Sequence, residues 1–177
     1  FSRLIEQGKV RAIGASNFTA ERLAESLAIS AKHGLPRYES LQPGYNLMDR
    51  GEYESDLEPL IRKENVGVIS YFSLAKGFLT GKYRSEADLS KSKARGEGVR
   101  RYLDDRGIRV LAQLDAVAET HHATPAQVSL AWLMARPGIT APVASATSIE
   151  QLDDIAKAVY LVLSDAEISE LDSASVS

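Results

Sequence analysis

Short apolar runs alternate along this chain with longer segments in which apolar residues recur every three or four positions. That alternation restricts the fold more than any other feature of the sequence. Strands are expected at residues 10–14, 38–41, 66–71 and 139–143, the third reading Val-Gly-Val-Ile-Ser-Tyr. Helical spacing is expected over residues 1–7, stopped by Gly8, and over 19–33, where Leu23, Leu27 and Ala31 share a face before Gly34. It recurs over 56–63 with Leu57, Leu60 and Ile61. Three later helices announce their starts chemically. Thr124-Pro125-Ala126-Gln127, Ser148-Ile149-Glu150-Gln151 and Ser164-Asp165-Ala166-Glu167 each place a hydroxyl at the N-cap and an amide or carboxylate three residues on. Such a cap is worth ~1 kcal/mol, because it satisfies a backbone donor that is otherwise orphaned.

Strands alternating with helices imply a parallel sheet covered by helices, with the strands side by side in chain order through right-handed crossovers. Periodicity alone does not separate an open doubly wound sheet from part of a barrel. A complete (β/α)8 barrel takes ~250 residues, and this chain has 177. Four strand-helix units therefore fit one partial barrel domain over residues 1–177. Phe1 opens within a helical pattern, which is expected of a fragment. Residues 72–107 interrupt the alternation as a long polar segment after the third strand, rich in Lys, Arg, Ser and Gly. A loop of that length serves either as a substrate-facing element or as a variable surface excursion.

Composition narrows the chemistry. A formal net charge of −3 argues against nucleic acid as a partner. The chain has no cysteine, so disulfides and thiolate metal sites are excluded, in keeping with a cytoplasmic setting. His33, His121 and His122 form no metal-ligand spacing, and no metal is expected. No apolar run reaches the ~20 residues that span a bilayer.

Polar residues just beyond strand ends carry the functional signal, because barrel enzymes assemble their sites at that edge. Ser16 and Asn17 follow the first strand, Gln42 the second, and Tyr71 closes the third. On residue type alone Asn17 also reads as turn chemistry before the Thr19 cap, Gln42 as a partner for a backbone group, and Tyr71 as a core aromatic. Ala146, Thr147, Ser148 and Gln151 open a helix, where amides and hydroxyls favour an anion.

Five stretches in order resemble the aldo-keto reductase family. Residues 8–18 (Gly-Lys-Val-Arg-Ala-Ile-Gly-Ala-Ser-Asn-Phe) are similar to the signature of its fifth barrel strand. Residues 41–47 are similar to the end of the sixth strand, and 70–83 to the seventh strand and its loop. Residues 124–132 are similar to the helix before the eighth strand, and 146–152 to the turn after it. The resemblance implies the C-terminal half of a (β/α)8 TIM barrel, strands 5 to 8 with their helices. It implies that Ser16, Asn17 and Gln42 bond the nicotinamide carboxamide and that Tyr71 stacks on the ring. Ser73, Leu74, Gly77 and Leu79 are implied to wrap the pyrophosphate. Ala146, Thr147, Ser148 and Gln151 are implied to meet the adenosine-side phosphate. NADP is the implied cofactor, with NAD left open.

The chain departs from the family at several places, among them Ser145, where glycine is common, and Ile155, where an adenine-contacting asparagine is common. Members commonly read Tyr-Ser-Pro-Leu where this chain has Tyr71-Phe72-Ser73-Leu74, and no Lys or Arg for a 2′-phosphate stands between Val143 and Ile155. The family's catalytic Tyr, Lys, Asp and His come from strands that precede this stretch, so no catalytic residue is assigned here. The implied function is the cofactor half of an NADP-dependent oxidoreductase that reduces aldehydes and ketones. The alternative is a nucleotide-binding regulatory subunit on the same scaffold, like the potassium-channel β-subunits. A small carbonyl compound is the expected partner, without nucleic acid or membrane. Self-association through open sheet edges is also expected.

Overall fold

The computed structural model describes residues 1–91 and 96–176. Four strands, β1 (Ile13–Ser16), β2 (Tyr38–Gln42), β3 (Gly67–Ser70) and β4 (Ile139–Pro142), form one sheet in the order β1-β2-β3-β4. Every pairing is parallel, as the alternation of elements requires. The first strand begins at Ile13 rather than at residue 10. The reason lies in the preceding helix α1 (Ser2–Glu6), whose Leu4 carbonyl accepts from the amides of Lys9 and Val10 at 2.9 and 3.2 Å. Those residues are tied back to α1 and not to β2.

Ala15, Leu41 and Val68 lie side by side in the register and are 8%, 0% and 0% exposed, so this row faces the helices. The opposite, open face carries Gly14, Ser40 and Gly67, also in register. Space there is already taken. A Cβ on Gly14 would sit 2.3 Å from Ser40 Oγ, and one on Gly67 would sit 2.8 Å from Thr140 Oγ1. β1 and β4 form the two edges of the sheet.

After β1, α2 (Ala20–His33) starts with Thr19 Oγ1 accepting from Arg22 N at 3.3 Å and ends at left-handed Gly34. It buries Leu23 and Leu27. A π-helical stretch, Tyr53–Leu57, runs into α3 (Glu58–Glu64), which places the start of this helix earlier than residue 56. Residues between β3 and the next long helix hold short helical turns and α4 (Gly96–Val99). Part of the expected 72–107 segment, residues 92–95, lies outside the described residues.

Helix α5 (Asp105–Thr120) is an element the sequence reading did not assign, and it takes in Gly107, the last residue of the expected loop. Asp104 Oδ1 caps it by accepting from Gly107 N at 2.7 Å, and Val110, Leu111, Leu114, Val117 and Ala118 are buried. Gly107 also fits where nothing larger does, since a Cβ there would stand 1.8 Å from the Tyr102 carbonyl oxygen. Alanine in a helix normally gains ~0.5–1 kcal/mol over glycine. At this position the clash wins, because backbone cannot move aside as a side chain can. Gly107→Ala is expected to cost ~1–3 kcal/mol, read as a lower urea midpoint with unchanged slope.

α6 (Pro125–Met134) is apolar on nearly all sides, and Ala126, Val128, Leu130, Ala131, Trp132 and Leu133 are all buried. Such a helix has to run through the interior. α7 (Ile149–Ala156) and α8 (Asp165–Ser175) follow β4. The capping boxes expected at Thr124/Gln127 and Ser164/Glu167 both form. At Ser148 only the forward half is seen: Ser148 Oγ accepts from Gln151 N, while Gln151 Oε1 accepts from the Thr147 amide and hydroxyl at 3.0 Å.

Charged groups cross the base of the core. Asp172 of α8 accepts from Trp132 Nε1 and Arg136 Nη1, each at 2.9 Å, and pairs with Arg50 Nη1 at 3.1 Å. Glu54 accepts from Arg50 Nε at 2.8 Å and from the Tyr45 hydroxyl at 2.7 Å. The Arg50 and Arg136 guanidinium carbons lie 5.5 and 5.1 Å from the Trp132 ring centre.

Candidate functional site

Tyr71 stands one residue beyond β3 and is held by main-chain bonds on both sides. Its amide donates to the Pro43 carbonyl at 3.0 Å, and its carbonyl accepts from Tyr45 N at 3.3 Å. The hydroxyl reaches across two strands and donates to Asn17 Oδ1 at 2.9 Å. Asn17 has a φ of 56°, a left-handed conformation that asparagine tolerates better than most residues. Its amide donates to the Gln42 carbonyl at 3.2 Å, and Ser16 Oγ donates to the same oxygen at 3.1 Å. Ser16, Asn17, Gln42 and Tyr71 thus come together at the C-terminal edge of the sheet from three successive strand ends. Ser16 and Asn17 are exposed, and Gln42 and Tyr71 are half-buried. Among the described residues the Gln42 side chain has no protein hydrogen bond.

Gly44, which the sequence reading did not single out, lies against the Tyr71 ring. A Cβ there would approach the ring carbon Cζ to 3.3 Å. The missing side chain gives the ring a flat seat, and Gly44 pairs with Tyr71 in an isolated parallel bridge. The available signal was a glycine directly after Gln42-Pro43 at a strand end.

The turn that follows is unusual in its backbone. Phe72, Ala75, Lys76 and Gly77 all have positive φ, at 54°, 47°, 57° and 97°. Ser73 Oγ donates inward to the Ser70 carbonyl at 3.2 Å, and Ser73 is 1% exposed. Gly77 and Leu79 are buried and Leu74 is half-buried. Any anion contact from Ser73 or Leu79 therefore falls to the main chain rather than the side chain. Two cations lie close by. Lys76 Nζ is 5.3 Å from the Phe72 ring centre, and Lys82 Nζ would be 3.5 Å from a Cβ on Gly77.

Ala146, Thr147, Ser148 and Gln151 are gathered at the start of α7, which follows β4 and so opens from the same sheet edge. Glu150 adds a negative charge there. Hydrogen bonds from Ser148 and from its own amide hold the Glu150 carboxyl below the usual carboxylate range.

Three of the enclosed tyrosines are moved away from acid behaviour. Burial pushes Tyr45 up, and Tyr53 and Tyr102 are each raised to about 12, again chiefly by burial. No cluster of three potential metal ligands is present among the described residues.

The aldo/keto reductase family model matches residues 1–176. Protein tas of Escherichia coli (strain K12) is 31% identical over 166 residues, covering 93% of this chain and 48% of that protein. The NADP(+) aldo-keto reductase yakc of Schizosaccharomyces pombe is 26% identical over 173 residues, with coverage of 96% and 49%. A probable voltage-gated potassium channel subunit beta of Arabidopsis thaliana is 28% identical over 163 residues, with coverage of 90% and 50%. The chain spans about half the length of the curated relatives it matches. A parallel sheet with helices between its strands, polar groups at its C-terminal edge and a match over residues 1–176 lead to one assignment: this chain belongs to the aldo/keto reductase family.

Proposed function

We propose that this chain is the C-terminal half of an aldo-keto reductase barrel, strands 5 to 8, and that it holds NADP for the reduction of small aldehydes and ketones to alcohols. The observation that carries the reading is the convergence of Ser16, Asn17, Gln42 and Tyr71 on one sheet edge. The half-buried Tyr71 ring, seated on Gly44, offers a flat apolar surface to a nicotinamide ring. Gln42 and the hydroxyl of Ser16 supply polar groups for its carboxamide, and Asn17 holds the Tyr71 hydroxyl. Bound NADPH would supply the hydride. Main-chain groups of Ser73, Leu74, Gly77 and Leu79, with Lys76 and Lys82 nearby, suit the pyrophosphate. Ala146, Thr147, Ser148 and Gln151 suit the adenosine-side phosphate. The proton has to come from residues outside this chain. Similarity to yakc, named for NADP(+), supports the choice of cofactor, whereas Glu150 at the α7 start makes NADH the necessary comparison.

The test is a fluorescence titration with NADPH and NADH on the full-length polypeptide that carries this sequence. Tyr71→Ala is expected to weaken NADPH roughly tenfold or more, the scale of a lost ring stack. Unchanged affinity would overturn the assignment. Similarity to a potassium channel subunit beta supports a second reading, nucleotide-dependent regulation of a partner. Aldehyde turnover by the full-length polypeptide decides for the enzyme.

Self-association belongs to the same proposal. β1 and β4 present open edges. Ile149, Leu152, Val159, Tyr160 and Val162, in the chain after β4, are exposed by 73%, 55%, 63%, 85% and 82%. Sedimentation velocity on the 177-residue chain is expected to show dimers or larger species, and a single compact monomer would contradict this.

A further inference from the structure

Asn46 lies in the connection between β2 and α3 and is 1% exposed. Burying an amide this deeply is costly unless its polar atoms find partners. Here both ends do. Oδ1 accepts from the amides of Met48 and Asp49 at 2.8 and 3.0 Å. Nδ2 donates to Asp49 Oδ2 at 3.1 Å and to the Phe72 carbonyl at 3.0 Å. That carbonyl belongs to a bulky residue at a φ of 54°, a conformation that persists only where its surroundings impose it. It also accepts from Ala75 N at 2.7 Å.

The contact continues beyond Asp49. The Asp49 carboxylate accepts from the Tyr102 hydroxyl at 2.6 Å and from Arg101 Nη2 at 3.0 Å. A hydrogen-bonded path therefore runs from Tyr102 through Asp49 and Asn46 to Phe72. It joins the far end of the segment after β3 to its near end, one residue from Tyr71. If the Phe72 turn relaxed to negative φ, the Tyr71–Phe72 peptide would re-aim, and with it the ring seated on Gly44.

We propose that Asn46 is a positioning residue for the nicotinamide platform, holding the Phe72 peptide in its left-handed turn so that Tyr71 stays on Gly44 and Asn17, with Asp49 and Tyr102 bracing it from behind. This rests on the reading of Tyr71 as the ring contact. A merely structural role would weaken every part of the cofactor alike; a positioning role weakens the ring contact more than the neighbouring phosphate contacts.

Two ligands separate these cases: NADPH and 2′-phospho-ADP-ribose, the same nucleotide without the nicotinamide. Dissociation constants are measured calorimetrically on the full-length polypeptide and its variants. Asn46→Ala is expected to weaken NADPH roughly tenfold, the scale of losing a buried hydrogen-bond partner, while the ringless ligand changes by less than about twofold. Added to Tyr71→Ala, Asn46→Ala should cost little more, since both act on one contact. Tyr102→Phe removes a single oxygen and carries the test if Asn46→Ala does not fold. It is expected to weaken NADPH selectively by a smaller factor. Equal weakening of both ligands, an unchanged NADPH affinity, or full additivity with Tyr71→Ala overturns the proposal. If the parent binds neither ligand, or Tyr71→Ala leaves NADPH unaffected, the cofactor reading itself fails and this inference falls with it.

Discussion

The 177-residue chain on its own is expected to oxidise no NADPH when offered a reactive aldehyde. A carbonyl reduced by hydride must also receive a proton, and a positioned acid typically contributes ~10²–10⁴-fold to such a step. A tyrosine can serve at neutral pH only where a neighbouring cation brings its pKa down. Three enclosed tyrosines go the other way: burial raises Tyr45, Tyr53 and Tyr102. Tyr71 spends its hydroxyl on Asn17. Stopped-flow absorbance at the NADPH band, with the chain and then the full-length polypeptide, checks this. Turnover by the chain alone would show that its own residues form an acid site.

Asp172→Ala is expected to produce the largest loss of stability among single side-chain changes at the charged base of the core. Asp172 meets Arg136, Arg50 and the Trp132 indole at once. Its removal leaves Arg136 with Glu54 at 3.5 Å as its remaining carboxylate. Breaking an enclosed pair from one side costs ~3–5 kcal/mol, because the surviving charge stays desolvated. Glu54 gives the same region its pH dependence. Burial alone would raise its carboxyl, but hydrogen bonds from Arg50 and Tyr45 and the Arg50 and Arg136 charges outweigh it and the net shift is downward. A depressed folded pKa stabilises the protein at pH above the ordinary carboxylate value. That contribution is lost as pH falls through the lowered one. Urea midpoints measured from neutral pH into the acid range should fall for the parent chain. They should fall less for Glu54→Gln, which has no carboxyl to protonate.

Strands and caps were legible because their signals are local. Thr19, Thr124, Ser148 and Ser164 each cap the helix expected of them. The strand ends that gather Ser16, Asn17, Gln42 and Tyr71 followed from parallel topology, which puts every strand's C-terminal end on one edge. Helix α5 was hidden because Gly107 and a polar approach suggested continued loop, although Asp104 is an ordinary N-cap and the apolar spacing from Val110 to Ala118 is helical. Asn46 was hidden for a different reason. Its side chain makes four hydrogen bonds to three residues, one of them Phe72, which lies 26 residues away, and no local pattern reports such a contact. Ser73 is implied by resemblance to lie in the turn around the pyrophosphate, and only the fold shows its hydroxyl spent on Ser70.

The open face of the sheet limits whatever is built against it. At Gly14 and Gly67 the obstruction comes from Ser40 and Thr140, neighbours within the same sheet, so no rearrangement of an opposing wall makes room for larger residues there. Volume to fill the space in front of this sheet has to arrive from across the gap, on long or branched side chains reaching toward a floor of glycine and serine. A designed partner wall should carry its bulk opposite Gly14, Ser40 and Gly67 and stay small elsewhere.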